Sequence, residues 1–252
     1  MKKPWAAAVF AVLPVLTSFG ADFSLSPGGG VFLGGLFTRY SLTAQGAVAG
    51  IPVDIDSRQE MNQLNYGVYL FFDATWAEFG VGIQRGTGTY MEDMSADSSQ
   101  QGTVFESTGN GDSTETMVGL SLLGKYPFRL NRQFTVFPLV GVEYQIALLE
   151  YRDPEKFKEY DRTDGIRESD SNGEAYNLSA WNSLFVDIGA GLDFRFTSRL
   201  FLRAEFLYAF RLMTPYEVDA LEKVKNLAGA SDPKLAGLTS GPVLRVGFGY
   251  TL

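Results

Sequence analysis

Between Asn182 and Leu212 the side chains alternate without a break on either side of a short Thr197-Ser198-Arg199 turn. Leu184, Val186, Ile188, Ala190, Leu192, Phe194 and Phe196 lead in, and Leu200, Leu202, Ala204, Phe206, Tyr208 and Phe210 lead out; this even-numbered face carries no charge. The odd-numbered face holds Asp187, Asp193, Arg195, Arg203, Glu205 and Arg211 among Phe185, Gly189, Gly191 and Leu207. A period of two with every ionisable group on one side predicts a β-hairpin. Each arm supplies about ten alternating residues, the length of a tilted membrane-crossing strand, where strands of soluble sheets usually run about five or six.

The same pattern recurs along the chain. Gly29 to Leu42 reads as a first strand, with a register left open by Gly34-Gly35 and apolar residues on both faces. A second hairpin places Leu64, Tyr66, Val68, Leu70 and Phe72, then Ala77, Phe79, Val81 and Ile83, on one face of an Asp73-Ala74-Thr75 turn. Trp76, Glu78 and Gln84 are assigned to the other face. A third runs from Val118 to Tyr126, turns at Phe128 to Arg132, and returns through Phe134, Val136, Val140, Val142, Tyr144 and Ile146. Pro138 falls within that return and predicts a local bulge, because it has no N–H for a ladder. Leu244, Val246, Phe248, Tyr250 and Leu252 make an eighth strand.

Four stretches between these elements read as long loops: Thr43 to Gln63, Arg85 to Glu115, Glu150 to Ala180 and Met213 to Gly237. Tyr216 to Ala228 has helical spacing within the last. Long and short connections alternate, as in an eight-stranded antiparallel up-and-down transmembrane β-barrel with short periplasmic turns and long extracellular loops. Closure follows from the solvent, since an open sheet edge in lipid leaves N–H and C=O groups without partners.

Charge then sets the orientation. A Lys or Arg on the lipid face at mid-bilayer costs roughly 2 to 4 kcal/mol, so the charged face belongs in the lumen. That assigns Glu78, Glu143, Asp187, Asp193 and Glu205, against Lys125, Arg195, Arg203, Arg211 and Arg245, to one buried network of five acids and five bases. The bore of an eight-stranded barrel is about as wide as its own side chains, and the network reads as a plug. Two other readings compete. In one the lumen is a narrow pore, or an apolar conduit lined by Phe137, Leu139, Phe185 and Leu207. In the other the barrel is inside out, as in soluble lipocalin-like carriers.

Composition narrows the field further. Met1-Lys2-Lys3, an apolar run from Trp5 to Leu16 and Ser18-Phe19-Gly20 read as a signal peptide over 1–20, which leaves 21–252 as a single barrel. Removing Lys2 and Lys3 from the 21 basic side chains leaves 19 against 29 acidic ones, a net charge of −10 that argues against nucleic acid. Cysteine and histidine are absent. No disulfide or thiol chemistry is available, and the usual general base near neutral pH is missing, so no catalytic residue is assigned and the chain is read as a non-enzyme. No cofactor or metal site is assigned either; Asp170-Ser171-Asn172-Gly173-Glu174 resembles part of a calcium loop but reads as solvated.

The ending Arg245-Val246-Gly247-Phe248-Gly249-Tyr250-Thr251-Leu252 resembles the polar-x-Gly-x-x-aromatic-x-hydrophobic signal that closes outer-membrane proteins. With FFDATWAEFGVG, FPLVGVEYQI and the strand layout, it makes the whole chain similar to the small barrels of the OmpA transmembrane domain, OmpX and OmpW group. The resemblance implies the outer membrane of a double-membrane bacterium. It also implies outer-membrane lipid and the barrel-assembly machinery as partners, the latter reading Arg245, Gly247, Tyr250 and Leu252. The function that follows is loop display to an extracellular ligand or a structural role, with a pore or an OmpW-like conduit for apolar solutes as the alternative.

Overall fold

The computed structural model describes residues 25–48, 51–152, 156–161, 165–170, 174–176, 182–213 and 231–252. The signal-peptide assignment, the 216–228 helix and the core of the calcium-like loop lie outside these. The strands are β1 (Leu25–Val48), β2 (Ile51–Ala74), β3 (Ala77–Ser98), β4 (Gly102–Lys125), β5 (Phe128–Arg129), β6 (Phe134–Arg152), β7 (Lys156–Asp161), β8 (Gly165–Asp170), β9 (Glu174–Tyr176), β10 (Ser183–Arg195), β11 (Leu200–Met213) and β12 (Ser231–Tyr250).

Eight of them close a ring by antiparallel pairing: β1 with β2, β2 with β3, β3 with β4, β4 with β6, β6 with β10, β10 with β11, β11 with β12, and β12 back to β1. Sequential neighbours pair throughout, which is the up-and-down arrangement. No helix among the described residues is long and apolar enough to cross a membrane.

The even-numbered face of the Asn182–Leu212 hairpin points outward, with Ile188, Phe206, Tyr208, Phe210 and Leu212 exposed. Leu64, Tyr66, Val68, Leu70 and Phe72 on β2 and Leu244, Val246, Phe248 and Tyr250 on β12 are exposed as well. The bare apolar surface is on the outside, which rules out the inside-out carrier. Aromatic rings gather where this surface meets the turns. The Trp76 ring lies tilted 4.9 Å from Tyr126, and Tyr126 lies 4.8 Å from Phe128; Phe194 is 5.0 Å from Phe134 and 4.9 Å from Phe196. Such girdles flank the apolar band of membrane barrels. Trp76 therefore belongs outside, not on the inward face: the turn after Asp73, with Thr75 at φ 58°, resets the alternation.

All four stretches read as long loops contain strands among the described residues: Glu150 to Ala180 holds the end of β6 with β7, β8 and β9, and Met213 to Gly237 holds the start of β12. Of Thr43 to Gln63, residues 43–48 belong to β1 and 51–63 to β2, which pair without interruption from Leu25↔Ala74 to Val48↔Ile51. Arg85 to Glu115 belongs to β3 and β4, joined at Ser98–Gly102. Glycine is required at that tip, because Gly102 has φ +75°, a left-handed conformation that side chains resist. In water neither face of a strand needs to be apolar, so the ladder continues after the hydrophobic period has stopped. The upper end of this wall has a small core of its own: Ala44, Val53, Ile55, Ala96 and Val104, with Met94 and Phe105 against it.

Pro138 makes no bulge. It sits opposite Ala190 in an unbroken register, one residue past Leu139, where the β4 ladder on its other side has already ended at Lys125. The short turns are held by side-chain acceptors. Thr197 Oγ1 accepts from the Arg199 and Leu200 amides at 3.2 and 2.9 Å, and Asn131 Oδ1 accepts from those of Gln133 and Phe134, both at 2.8 Å.

Candidate functional site

The lumen is filled in layers, and the layer nearest the turns centres on Arg203, which is wholly buried. Its guanidinium makes a two-pronged contact with Asp193, Nε to Oδ1 at 2.7 Å and Nη2 to Oδ2 at 2.8 Å, and also donates to Glu78 and Asp73. Asp73 in turn accepts from Lys125 Nζ. Glu205 adds a fourth carboxylate 3.8 Å from Arg203 Nε. Three phenylalanine rings surround the same guanidinium: Phe71 at 4.8 Å, Phe137 at 5.0 Å and Phe201 at 5.1 Å from centroid to Cζ. Planar, weakly hydrated and always charged, arginine suits such a box of carboxylates and ring faces. The groups around Arg203 come from β2, β3, β6, β10 and β11, with Lys125 of β4 joined through Asp73, so one side chain ties opposite walls together.

A second pair lies further along the bore. Arg245 Nη2 donates to Glu143 Oε2 at 2.6 Å, and Gln145 Nε2 donates to Glu143 Oε1 at 2.7 Å. Leu123, Phe137, Leu139 and Leu207 pack together as one buried cluster, with Leu36, Phe185 and Ala209 as another. The four residues proposed to line an apolar path are thus packed against neighbours. Beside Arg245 a cavity of about 40 Å3 remains, lined in part by Asn65, Tyr69, Gln84, Ser121 and Glu143. Phe32, Leu36, Val81 and Val243 complete a mixed lining, and there is room for a few waters. Above it Thr239 donates to Thr38 at 3.0 Å, and Gln63 donates to Glu115 at 2.9 Å.

Every residue assigned to the lumen network faces inward. Glu78, Lys125, Asp187, Asp193, Arg203, Glu205 and Arg245 are buried, and Glu143, Arg195 and Arg211 half-buried. They do not form one network. Arg195 lies at the turn end, with Nη1 3.4 Å from Thr251 Oγ1 and its charge over Phe201, and Arg211 stacks on Tyr40 at the far end. Nor is the balance five against five, because Asp73 and Glu115 are also buried inside. Asp73 was assigned to the turn and Glu115 to a loop. Parity marks Asp73, since with Leu70 and Phe72 outward the next position points in. Nothing in the local pattern marks Glu115.

Of the terminal signal, Arg245 and Gly247 face the lumen, and a Cβ on Gly247 would meet the Gly29 carbonyl at 2.7 Å. Tyr250 is exposed and accepts a 3.0 Å hydrogen bond from Arg199, while the Leu252 amide donates to Leu25 at 3.1 Å. The last strand thereby closes on the first.

A family model described as Pom, Protochlamydia outer membrane protein, matches residues 54–251, most of the ring just described. The chain belongs to this family. It is an outer-membrane β-barrel protein. A comparison with curated proteins found no match. Among solved structures the family member is similar to the outer membrane protease OmpT from Escherichia coli, at 9% identity and TM-score 0.44 over 93% of this chain and 99% of that one. Similarity also extends to Neisserial surface protein A, at 12%, TM-score 0.30 and 88% and 97% coverage. The attachment invasion locus protein Ail of Yersinia pestis follows at 14%, TM-score 0.27 and 90% and 99%. None of these likenesses decides function.

Proposed function

We propose that the protein is a non-conducting scaffold: a barrel locked across its bore, holding a wall of extended strands out from the bacterial surface for contact with an extracellular ligand. The observation that carries this reading is the Arg203 box, which spans the bore with carboxylates from both sides and three aromatic rings. A pore needs a continuous wet path, and the packing of Phe137, Leu139 and Leu207 beside that box supports a closed bore. The long β1–β4 hairpins supply the display surface. Binding residues concentrate on segments held by a rigid support, and here the support is the barrel continued into water.

Catalysis has no place in the proposal, because the chain contains no histidine, and Asp73, Glu78 and Asp193 are engaged with Arg203 and Glu143 with Arg245. Refolded protein in a planar bilayer tests the scaffold against the pore. Stable membranes without steady unitary currents are expected, and steady ion channels from the unaltered chain would overturn the proposal.

A further inference from the structure

The two ends of the barrel differ in sign. The exposed side chains of the wall are acidic in balance, with Asp54, Asp56, Asp93, Asp97, Glu106 and Asp112 against Arg39, Arg58, Arg85 and Lys234, in a chain of net charge −8. The short turns carry the opposite: Arg129, Arg132 and Arg199 are all exposed, and the only acid among the described residues of these turns, Asp73, is buried and engaged with Lys125 and Arg203. These arginines sit at the edge of the aromatic girdle. Arg129 follows Phe128 at the end of the Trp76–Tyr126–Phe128 stack, and Arg199 donates to Tyr250 at 3.0 Å beside Phe196. Leu130, between Arg129 and Arg132, is 66% exposed at the tip of its turn.

An aromatic ring at headgroup depth, an apolar tip and exposed guanidinium groups just beyond form a surface matched to a charged lipid interface. Guanidinium groups recognise phosphate oxygens through paired N–H donors. We infer that the turn end of the barrel is a binding rim for anionic phospholipid headgroups of the periplasmic leaflet, with Arg129, Arg132 and Arg199 as the phosphate contacts. The leaflet on that side is thereby selected by charge, while the acidic wall is kept away from it.

The test uses the full chain with Trp5 and Trp181 replaced by Phe, so that Trp76 in the girdle is the sole tryptophan. It is reconstituted in vesicles of phosphatidylcholine and phosphatidylglycerol, with one lipid or the other brominated, and quenching of Trp76 gives relative binding of the two headgroups. A roughly fivefold preference for phosphatidylglycerol is expected, the value for about one arginine engaged at the surface. It should fall toward one in 0.5 M salt and in the triple variant Arg129→Gln, Arg132→Gln, Arg199→Gln. Equal quenching by both lipids in the parent chain would overturn the inference, as would a preference that survives the triple substitution. If the triple variant fails to give the folded band on an unheated gel, the salt titration on the parent decides: no loss of preference in high salt overturns it.

Discussion

The lower and upper halves of β2 are one uninterrupted strand in two solvents. From Leu64 to Phe72 its outward side chains are Leu, Tyr, Val, Leu and Phe, whereas from Asp54 to Glu60 they are Asp, Asp, Arg and Glu. The ladder does not notice the change: β1 and β3 pair with both halves in constant register. Hydrogen bonding thus sets the architecture of the whole wall, and lipid adds a sequence requirement only where it touches. The interior shows the converse. Within the membrane the bore holds charges paired around Arg203, while the top of the wall buries a few apolar residues, Ala44, Val53, Ile55, Ala96 and Val104.

The contrast breaks most severely at Arg203. Its replacement by alanine leaves Asp73, Glu78 and Asp193 in a dry bore with Lys125 as the nearest remaining cation, and loss of one partner of a buried pair costs about 3 to 5 kcal/mol. A large fall in the urea midpoint of unfolding in bilayers is the expected result, and an unchanged midpoint would mean that water reaches these groups. A smaller effect separates the two solvents. Ile188→Arg on the lipid face should cost roughly 2 to 4 kcal/mol. Met91→Arg, as exposed but on the wall, should stay within about 0.5 kcal/mol of the parent. Equal costs for the pair would erase the boundary between membrane and wall. The smallest effect belongs to the wall tip, where Gly102→Ala forces a side chain into φ +75° at a cost of about 1 kcal/mol. Faster proteolytic nicking at Ser98–Gly102, with unchanged barrel stability, is the readout.

How far the sequence spoke follows from the same division. Where lipid demands an apolar outer face, alternation located the strands and their sidedness: Ile188, Phe206 and Val246 out, Asp187, Glu205 and Arg245 in. Beyond the membrane that demand lapses, and Asp54, Arg58 and Asp93 read as loop although they stand in a regular ladder. The lumen was legible as a set but not as a geometry. Parity brings charged residues to one face, yet which acid meets Arg203 depends on stagger around the ring, so Glu78 from β3 and Asp73 from the end of β2 come together with Asp193 from β10. Pro138 misled for a related reason: its tolerance comes from where β4 stops, a fact about a different strand.

Spin labels placed singly at the outward positions of β2 test the central claim most directly, that one continuous strand passes from hydrocarbon into water without changing partners. Labels at 66, 68, 70 and 72 should relax with oxygen dissolved in the acyl chains and ignore a water-soluble nickel chelate. At 54, 56, 58 and 60 the preference should reverse. Nickel access at 68 and 70, or oxygen-dominated relaxation at 54 and 56, would contradict the account.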